Sequence, residues 1–137
     1  MRIVVGQGSC GIATGAKKVA NRFEEILGEK NIDINVDITG CIGTCFLEPI
    51  VDIYEDAKDE PTRVKPEDVV EIIESHIEGG KAVESKEISE ENKKLMEKQK
   101  RIVLRNCGCI NPEEIDEYIA RDGYKATKKV LTSMTDE

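Results

Sequence analysis

One helical stripe set between two β-branched runs limits the architectures open to this chain. Ala16, Val19, Ala20, Phe23, Ile26 and Leu27 recur at three- and four-residue steps, whereas Lys17, Lys18, Arg22, Glu24 and Glu25 fall between them. That pattern predicts an amphipathic helix over 13–29. Ahead of it, residues 2–5 form a short apolar run ending at Gly6, as a buried strand does. Behind it, residues 32–38 alternate apolar and polar, the two-residue period of a half-buried strand. Residues 49–54 predict another strand, 55–61 a polar turn and 62–64 a short return strand. Pro66-Glu67-Asp68 then opens a second helix, with proline in the first turn and acids at the positive end of the dipole. Val69, Val70, Ile72, Ile73 and Ile77 line its buried side, and Gly79-Gly80 stops it. The order β-α-β-β-β-α predicts a small α/β sandwich over residues 1–84.

The remaining residues read differently. Residues 85–100 are mostly charged, with Ile88, Leu95 and Met96 as their apolar members, which predicts a linker or an exposed helix. Residues 101–104 have the composition of a strand. Asn111, Pro112 and Glu114 have the spacing of an N-cap, a first-turn proline and a capping box. The helix they open runs through Ile115, Tyr118 and Ile119 to Gly123, and a last helix is predicted over 125–131. Residues 101–137 are too few for a robust core of their own. They are expected to belong with further chain after Glu137 or to dock on a partner.

The 137 residues carry a formal charge of −8 and include no Trp, so a nucleic acid or an anionic lipid surface is an unsuitable partner. No apolar run approaches the length of a membrane span, and residues 1–6 are too short and strand-like for a signal peptide. A cytoplasmic location is expected. There, five cysteines point to metal binding, redox chemistry or simple burial before disulfides.

Cys41 and Cys45 bracket the glycine-containing turn of Thr39-Gly40-Cys41-Ile42-Gly43-Thr44-Cys45, and Cys10 lies at the predicted strand-to-helix turn. Thiolates are soft ligands for iron–sulfur clusters and zinc, and glycines let backbone fold tightly around a bound group. The C-terminal ends of neighbouring parallel strands share one edge of a sheet, so Cys10, Cys41 and Cys45 should converge. Gly6, Gly8 and Gly11 also match a dinucleotide fingerprint, with Asp33 and Asp37 near the place of a ribose-binding acid. After Asp37, however, the chain enters a cysteine loop and a hairpin, which favours a glycine-rich turn holding backbone close to a neighbour. Cys107 and Cys109 alternate faces if extended, so one ion would rarely take both. His76, the one histidine, is expected at the surface or as a cap, and no catalytic triad can be assembled around it.

Residues 39–45, Pro49-Ile50-Val51, Pro66-Glu67-Asp68-Val69 and Ile72-Ile73-Glu74-Ser75-His76-Ile77 together resemble the thioredoxin-like [2Fe–2S] ferredoxins, over about residues 2–84. These include small subunits of respiratory complex I and of NAD-linked hydrogenases. Leu104-Arg105-Asn106-Cys107-Gly108, Pro112-Glu113, Ile115-Asp116-Glu117-Tyr118-Ile119-Ala120, Gly123-Tyr124 and Leu131-Thr132-Ser133-Met134 look like the start of the flavin-binding, NADH-oxidising subunit. The resemblance implies a thioredoxin-like ferredoxin sandwich, a charged linker and an incomplete flavoprotein-like segment. It further implies an electron relay or docking domain of an NAD(P)H-linked oxidoreductase, partnered by other subunits of a soluble redox complex. FMN and NAD(P) would bind only in chain beyond this segment, so no turnover by this chain alone is expected.

In the family four cysteines hold a [2Fe–2S] cluster. Cys10 matches the second ligand, Cys41 the third and Cys45 the fourth, with Gly11, Gly40 and Gly43 beside them. The first position falls on Val5. Cys107 or Cys109 folding back, a partner residue or an exogenous ligand could complete the set. Otherwise the domain is a cluster-free interaction module that holds the flavoprotein subunit to its redox partner.

Overall fold

The computed structural model describes residues 1–55 and 58–135, without the side chains of residues 55 and 58–61. Four strands form one sheet in the order β2-β1-β3-β4. β1 (Arg2–Gly6) pairs parallel with β2 (Val36–Thr39) and antiparallel with β3 (Ile50–Glu55), which pairs antiparallel with the edge strand β4 (Lys58–Arg63). Residues alternate across such a sheet, so Ile3, Val5, Val51 and Ile53 share one face. Against that face pack Val19, Phe23, Ile26 and Leu27 of α2 (Ala16–Lys30), together with Val69 and Ile72 of α3 (Val69–Ile72). The α/β sandwich and its element order agree with the sequence pattern.

Several boundaries differ from the sequence expectation, each for a local reason. The first helix is two: α1 (Ser9–Thr14) ends at Gly15, whose φ of 103° sends the chain into α2. Only residues from Val36 onward pair as β2, because β1 has five residues and offers no partner to 32–34. Ile32 and Ile34 nevertheless pack on the core. β4 begins at Lys58, within the expected turn, since Lys58 to Pro61 find ladder partners in Glu55 to Asp52. Pro61 is tolerated because β4 is an edge. The rest of that turn, residues 56–57, lies outside the described residues. Pro66–Asp68 makes a 3-10 turn, and α3 continues as a wider π-helical stretch, Ile73–Glu78, before Gly79. His76 is not at the surface: it is 5% exposed within that stretch, and its carbonyl accepts the Gly80 N–H.

Residues 84–100 return along the sandwich. A 3-10 turn (Glu84–Lys86) precedes a bridge between Glu87 and Thr62, and Ile88 is buried with Leu47 and Ile50. α4 (Glu90–Glu97) is capped by the Ser89 hydroxyl, which accepts the Asn92 N–H, and Met96 packs on the same small cluster. Residues 101–104 form no strand. They have no ladder partner, and Val103 is 92% exposed. The expected capping box at Glu114 is absent as well. Asn111 closes a local turn by accepting the Glu113 N–H, α5 (Ile115–Ala120) starts later, and Glu117 accepts the Asn111 N–H. α6 runs from Lys125 to Ser133, two residues past expectation.

The C-terminal segment covers the second face of the sheet. Arg2 bridges Asp37 at 2.6 Å and Glu117 at 3.0 Å, and the Tyr54 hydroxyl donates to the Gly108 carbonyl. A cavity of about 470 Å³ remains beneath, lined by Arg2, Val4, Tyr54, Met96, Arg101 and Arg121 among others.

One ion pair fastens the returning segment and gives a pH test. Lys86 Nζ lies 2.7 Å from Asp68 Oδ1, and the Lys65 N–H donates to Oδ2 of the same carboxylate. Burial opposes the charged form of Asp68, but the bonds from Lys86 and Lys65 outweigh it and hold Asp68 below its ordinary 3.8. A depressed carboxylate contributes stability above its ordinary value and loses it as pH falls through the folded value. Asp68→Asn should therefore cost roughly 1 kcal/mol at neutral pH. The gap in melting temperature from the parent should narrow toward pH 3. An equal gap at both pH values would mean the carboxylate's charge is not what holds the segment.

Candidate metal centre

The strand ends create the site. β1 and β2 run parallel, so the turn after β1 and the loop after β2 emerge at one edge. Cys10 is the second residue of α1, Cys41 lies two residues past β2, and Cys45 opens a 3-10 turn (Cys45–Leu47). Gly8 lets these segments meet. A Cβ on Gly8 would stand 2.7 Å from Cys41 Cβ, a distance real side chains do not tolerate. The fingerprint-like glycine run thus holds backbone against backbone at the Cys41 loop, as a glycine-rich turn is expected to do.

These loops bring the sulfurs together. Cys41 Sγ and Cys45 Sγ are 3.6 Å apart, and the Gly43 N–H points to Cys41 Sγ at 3.3 Å. Gly43 can present that N–H because its φ is 93°. The Cys45 thiol is pushed up to about 11, first by hydrogen bonding with Cys10, then with Cys41, with burial and their charges adding. Among its thiol neighbours Cys45 resists forming a thiolate, and a bound cation reverses that balance.

The donor set fits a soft metal group. Two sulfurs on one tetrahedral metal, each about 2.3 Å from it, lie about 3.8 Å apart. The Cys41–Cys45 pair is already near that spacing. Among the described residues, no three His, Cys, Asp or Glu side chains close around a point that one ion could occupy. Pairs of thiolates at the two ends of a two-iron group need no such common point. Thr44, beside Cys45, supplies the one buried side-chain polar atom without a hydrogen-bond partner among the described residues.

Two further glycines have distinct tasks. Gly11 lies against the end of β1, where a Cβ would stand 2.3 Å from the Gly6 carbonyl oxygen. Gly40 faces Cys107, whose sulfur would be 3.5 Å from a Cβ at that position. Val5, in contrast, is fully buried in the core between sheet and helices and offers no donor atom. Cys107 is half-buried, and exposed Cys109 turns away, its thiol donating to the Arg105 carbonyl and its residue lining the cavity under the sheet.

Sequence reasoning missed three residues around this edge. Thr39 ties the C-terminal segment to the strand end, its hydroxyl accepting the Gly108 N–H at 2.8 Å and donating to the Ile110 carbonyl at 3.3 Å. Thr44 was visible only as part of the cysteine turn. Glu48 sits at a cis peptide before Pro49, is 4% exposed and accepts the Ile50 N–H at 3.0 Å. Burial pushes its carboxyl up, and the Ile50 N–H pulls partly back. No sequence signal distinguishes this glutamate from the exposed ones.

Comparison with known proteins agrees with this fold. No family model matches the chain. A "Ferredoxin, 2Fe-2S" of Aquifex aeolicus is 40% identical over 86 residues, covering 61% of this chain and 76% of that protein. A "Ferredoxin, 2Fe-2S" of Clostridium pasteurianum is 34% identical over 84 residues, 60% and 80% of the two chains. The NADP-reducing hydrogenase subunit HndC of Solidesulfovibrio fructosivorans is 63% identical over 35 residues. That match spans 26% of this chain and 7% of the hydrogenase subunit. The crystal structure of the wild-type thioredoxin-like [2Fe-2S] ferredoxin from Aquifex aeolicus superposes with a TM-score of 0.56 at 29% identity. It covers 65% of this chain and 96% of that one.

Proposed function

This chain belongs to the thioredoxin-like [2Fe–2S] ferredoxins, and from that membership we propose that it is an electron-transfer domain whose Cys10, Cys41 and Cys45 hold a [2Fe–2S] cluster. The observation carrying the proposal is the gathering of three thiols at one sheet edge, with Cys41 and Cys45 at ligand-pair spacing. When bound, the cluster accepts and releases one electron at a time. The chain's own part is to hold and shield it. Gly8 brings the turn before α1 against Cys41, and the Gly43 N–H donates to Cys41 sulfur. Donors to sulfur raise the potential of an iron–sulfur group, because they stabilise its more negative form.

The partner is taken to be a flavin- and NAD(P)-binding subunit or domain of a hydrogenase-type complex, in line with the HndC match. Residues 1–84 are the ferredoxin-type domain, 85–100 its connector and 101–137 a flavoprotein-like start. Ile102, Val103, Ile115, Ile119, Val130 and Leu131 are more than half exposed, an apolar surface suited to docking. No helix among the described residues is long and apolar enough to cross a membrane.

A second reading, a docking module without a cluster, is favoured by Val5 at the first ligand position of the family. One experiment separates the two. The chain is purified anaerobically and supplied with iron and sulfide, and visible absorption and EPR are recorded after dithionite. The relay reading expects about two irons per chain and a reducible signal. Cys41→Ala and Cys45→Ala should each remove most of both. Colourless protein without iron would establish the docking module instead.

A further inference from the structure

Four thiolates are needed to close a two-iron cluster, and the sheet edge gathers three. The missing position is not recoverable locally, since Val5 packs with Val51, Phe23 and the helices, on the apolar face of the sheet. Five cysteines are present, so two are candidates for the fourth.

The C-terminal segment brings them to the edge in unequal positions. Its 107–110 loop is clamped at the end of β2 by both hydrogen bonds of Thr39, to Gly108 and Ile110, and by the Tyr54 hydroxyl on the Gly108 carbonyl. Arg101 donates to the Cys107 carbonyl at 2.7 Å, fixing the same loop from the other side. Gly108 has a φ of 82°, and a Cβ there would come within 2.8 Å of Ile42, inside the cysteine loop itself. Each loop therefore presents a glycine to a side chain of the other, Gly108 to Ile42 and Gly40 to Cys107. At that seam the Cys107 sulfur rests on Gly40, the residue preceding Cys41. Cys109 is one step on and faces the cavity beneath the sheet. The turn at Gly108 separates the two thiols, and it is Cys107 that adjoins the Cys41 loop.

We propose that Cys107 is the fourth thiolate, closing the [2Fe–2S] site across the seam between the sandwich and the C-terminal segment. This rests on the cluster-binding reading above. On assembly from two ferric ions and two sulfides, each of four thiols releases its proton to solvent as its Fe–S bond forms, with no change of oxidation state. The cluster would then staple residues 101–121 to the ferredoxin body. Electrons leaving it would enter the segment that resembles the start of a flavoprotein.

The test uses the full chain and its Cys107→Ser, Cys107→Ala and Cys109→Ser variants, reconstituted anaerobically alongside the parent. Iron, acid-labile sulfide, visible spectrum and EPR of the reduced form are measured, with melting of the metal-free proteins as a check on folding. Expected is a loss of iron affinity of more than about 100-fold in Cys107→Ala, beyond the roughly 10–100-fold that removing a supporting group costs. Cys107→Ser should shift the absorption bands and the EPR g values, since an oxygen ligand replaces sulfur. Cys109→Ser should match the parent. If both Cys107 variants match the parent in iron and EPR, Cys107 is no ligand while the ferredoxin reading survives. If the parent itself takes up no iron, both readings fall together. If iron loss in Cys107→Ala accompanies a lower metal-free melting temperature and Cys107→Ser shows no spectral shift, the residue is structural and the assignment is overturned.

Discussion

Gly11→Ala should destabilise the protein by about 3 kcal/mol, the upper part of the range for forcing atoms into a filled interior. The same substitution at Gly28 should stabilise it by about 0.5–1 kcal/mol, because alanine is the better helix former. Both glycines are helical and neither has a positive φ. They differ in what a methyl group would meet. At Gly28 there is nothing within 4 Å. At Gly11 the methyl would lie 2.3 Å from the Gly6 carbonyl oxygen and 3.1 Å from Glu48 Oε2. Neither neighbour can step aside: Gly6 ends a strand paired on both edges of β1, and the Glu48 carboxyl is buried on the Ile50 N–H. α1 must therefore move away from β1, and Cys10 moves with it. Urea unfolding measures the opposite signs directly. Iron uptake should fall in Gly11→Ala and stay at the parent's level in Gly28→Ala. A Gly11→Ala protein as stable as the parent would show that α1 does not press on the strand end as described.

This contrast also explains how much the sequence discloses. The helix stripe from Ala16 to Leu27 and the alternation around Val36 are local patterns, and the sandwich is built from them. Convergence of Cys10, Cys41 and Cys45 was legible too, because parallel pairing of β1 and β2 puts both loops at one edge. Glycine at position 11 is readable as a tight turn, but its partner, the Gly6 carbonyl, is fixed only by how α1 docks. Long-range features were illegible for the same reason. β4 extends through Pro61 because β3 offers it partners, against its own turn-like composition. Glu48 and His76 are buried by what folds over them, whereas their neighbours in sequence say nothing of it. Thr39 looks like any strand-end threonine until residues 108–110 arrive from seventy residues away. The position of Cys107 depends on that return, so the cysteine count could name it as a candidate and could not choose it over Cys109.

Phe23→Ala carries the other large expectation, a loss of about 3–5 kcal/mol. The chain contains two phenylalanines and no tryptophan, and the other phenylalanine, Phe46, is 62% exposed. Phe23 is fully buried, on the face of α2 that meets the sheet, among β-branched and small aliphatic side chains. Its ring cannot be replaced by rotation of a large neighbour. Branched side chains have few rotamers, and those that β1 and β3 contribute to this cluster stand on strands already fixed by their ladders. The cavity should stay open, placing the loss high in its range. A domain of this kind has a total stability of about 5–15 kcal/mol, so the variant stays folded with a narrow margin. Phe23→Leu, which keeps most of the volume, should lose less than about 2 kcal/mol.

The comparison with Gly11→Ala then separates the fold from the site. Phe23 lies on α2, outside the three cysteine-bearing loops, so the folded fraction of Phe23→Ala should take up iron as the parent does. Ligand that binds only the folded state raises its stability by an amount set by affinity, not by the starting stability. Cluster loading should therefore raise the unfolding free energy of the parent and of Phe23→Ala by the same increment, as expected for distant sites. In Gly11→Ala the increment should shrink, because the mutation displaces a ligand. Unfolding measured with and without iron on the three proteins gives all three increments. Equal increments in every case would detach Cys10 from the site, and a reduced increment in Phe23→Ala would mean that the core, not the loops alone, sets the thiol geometry.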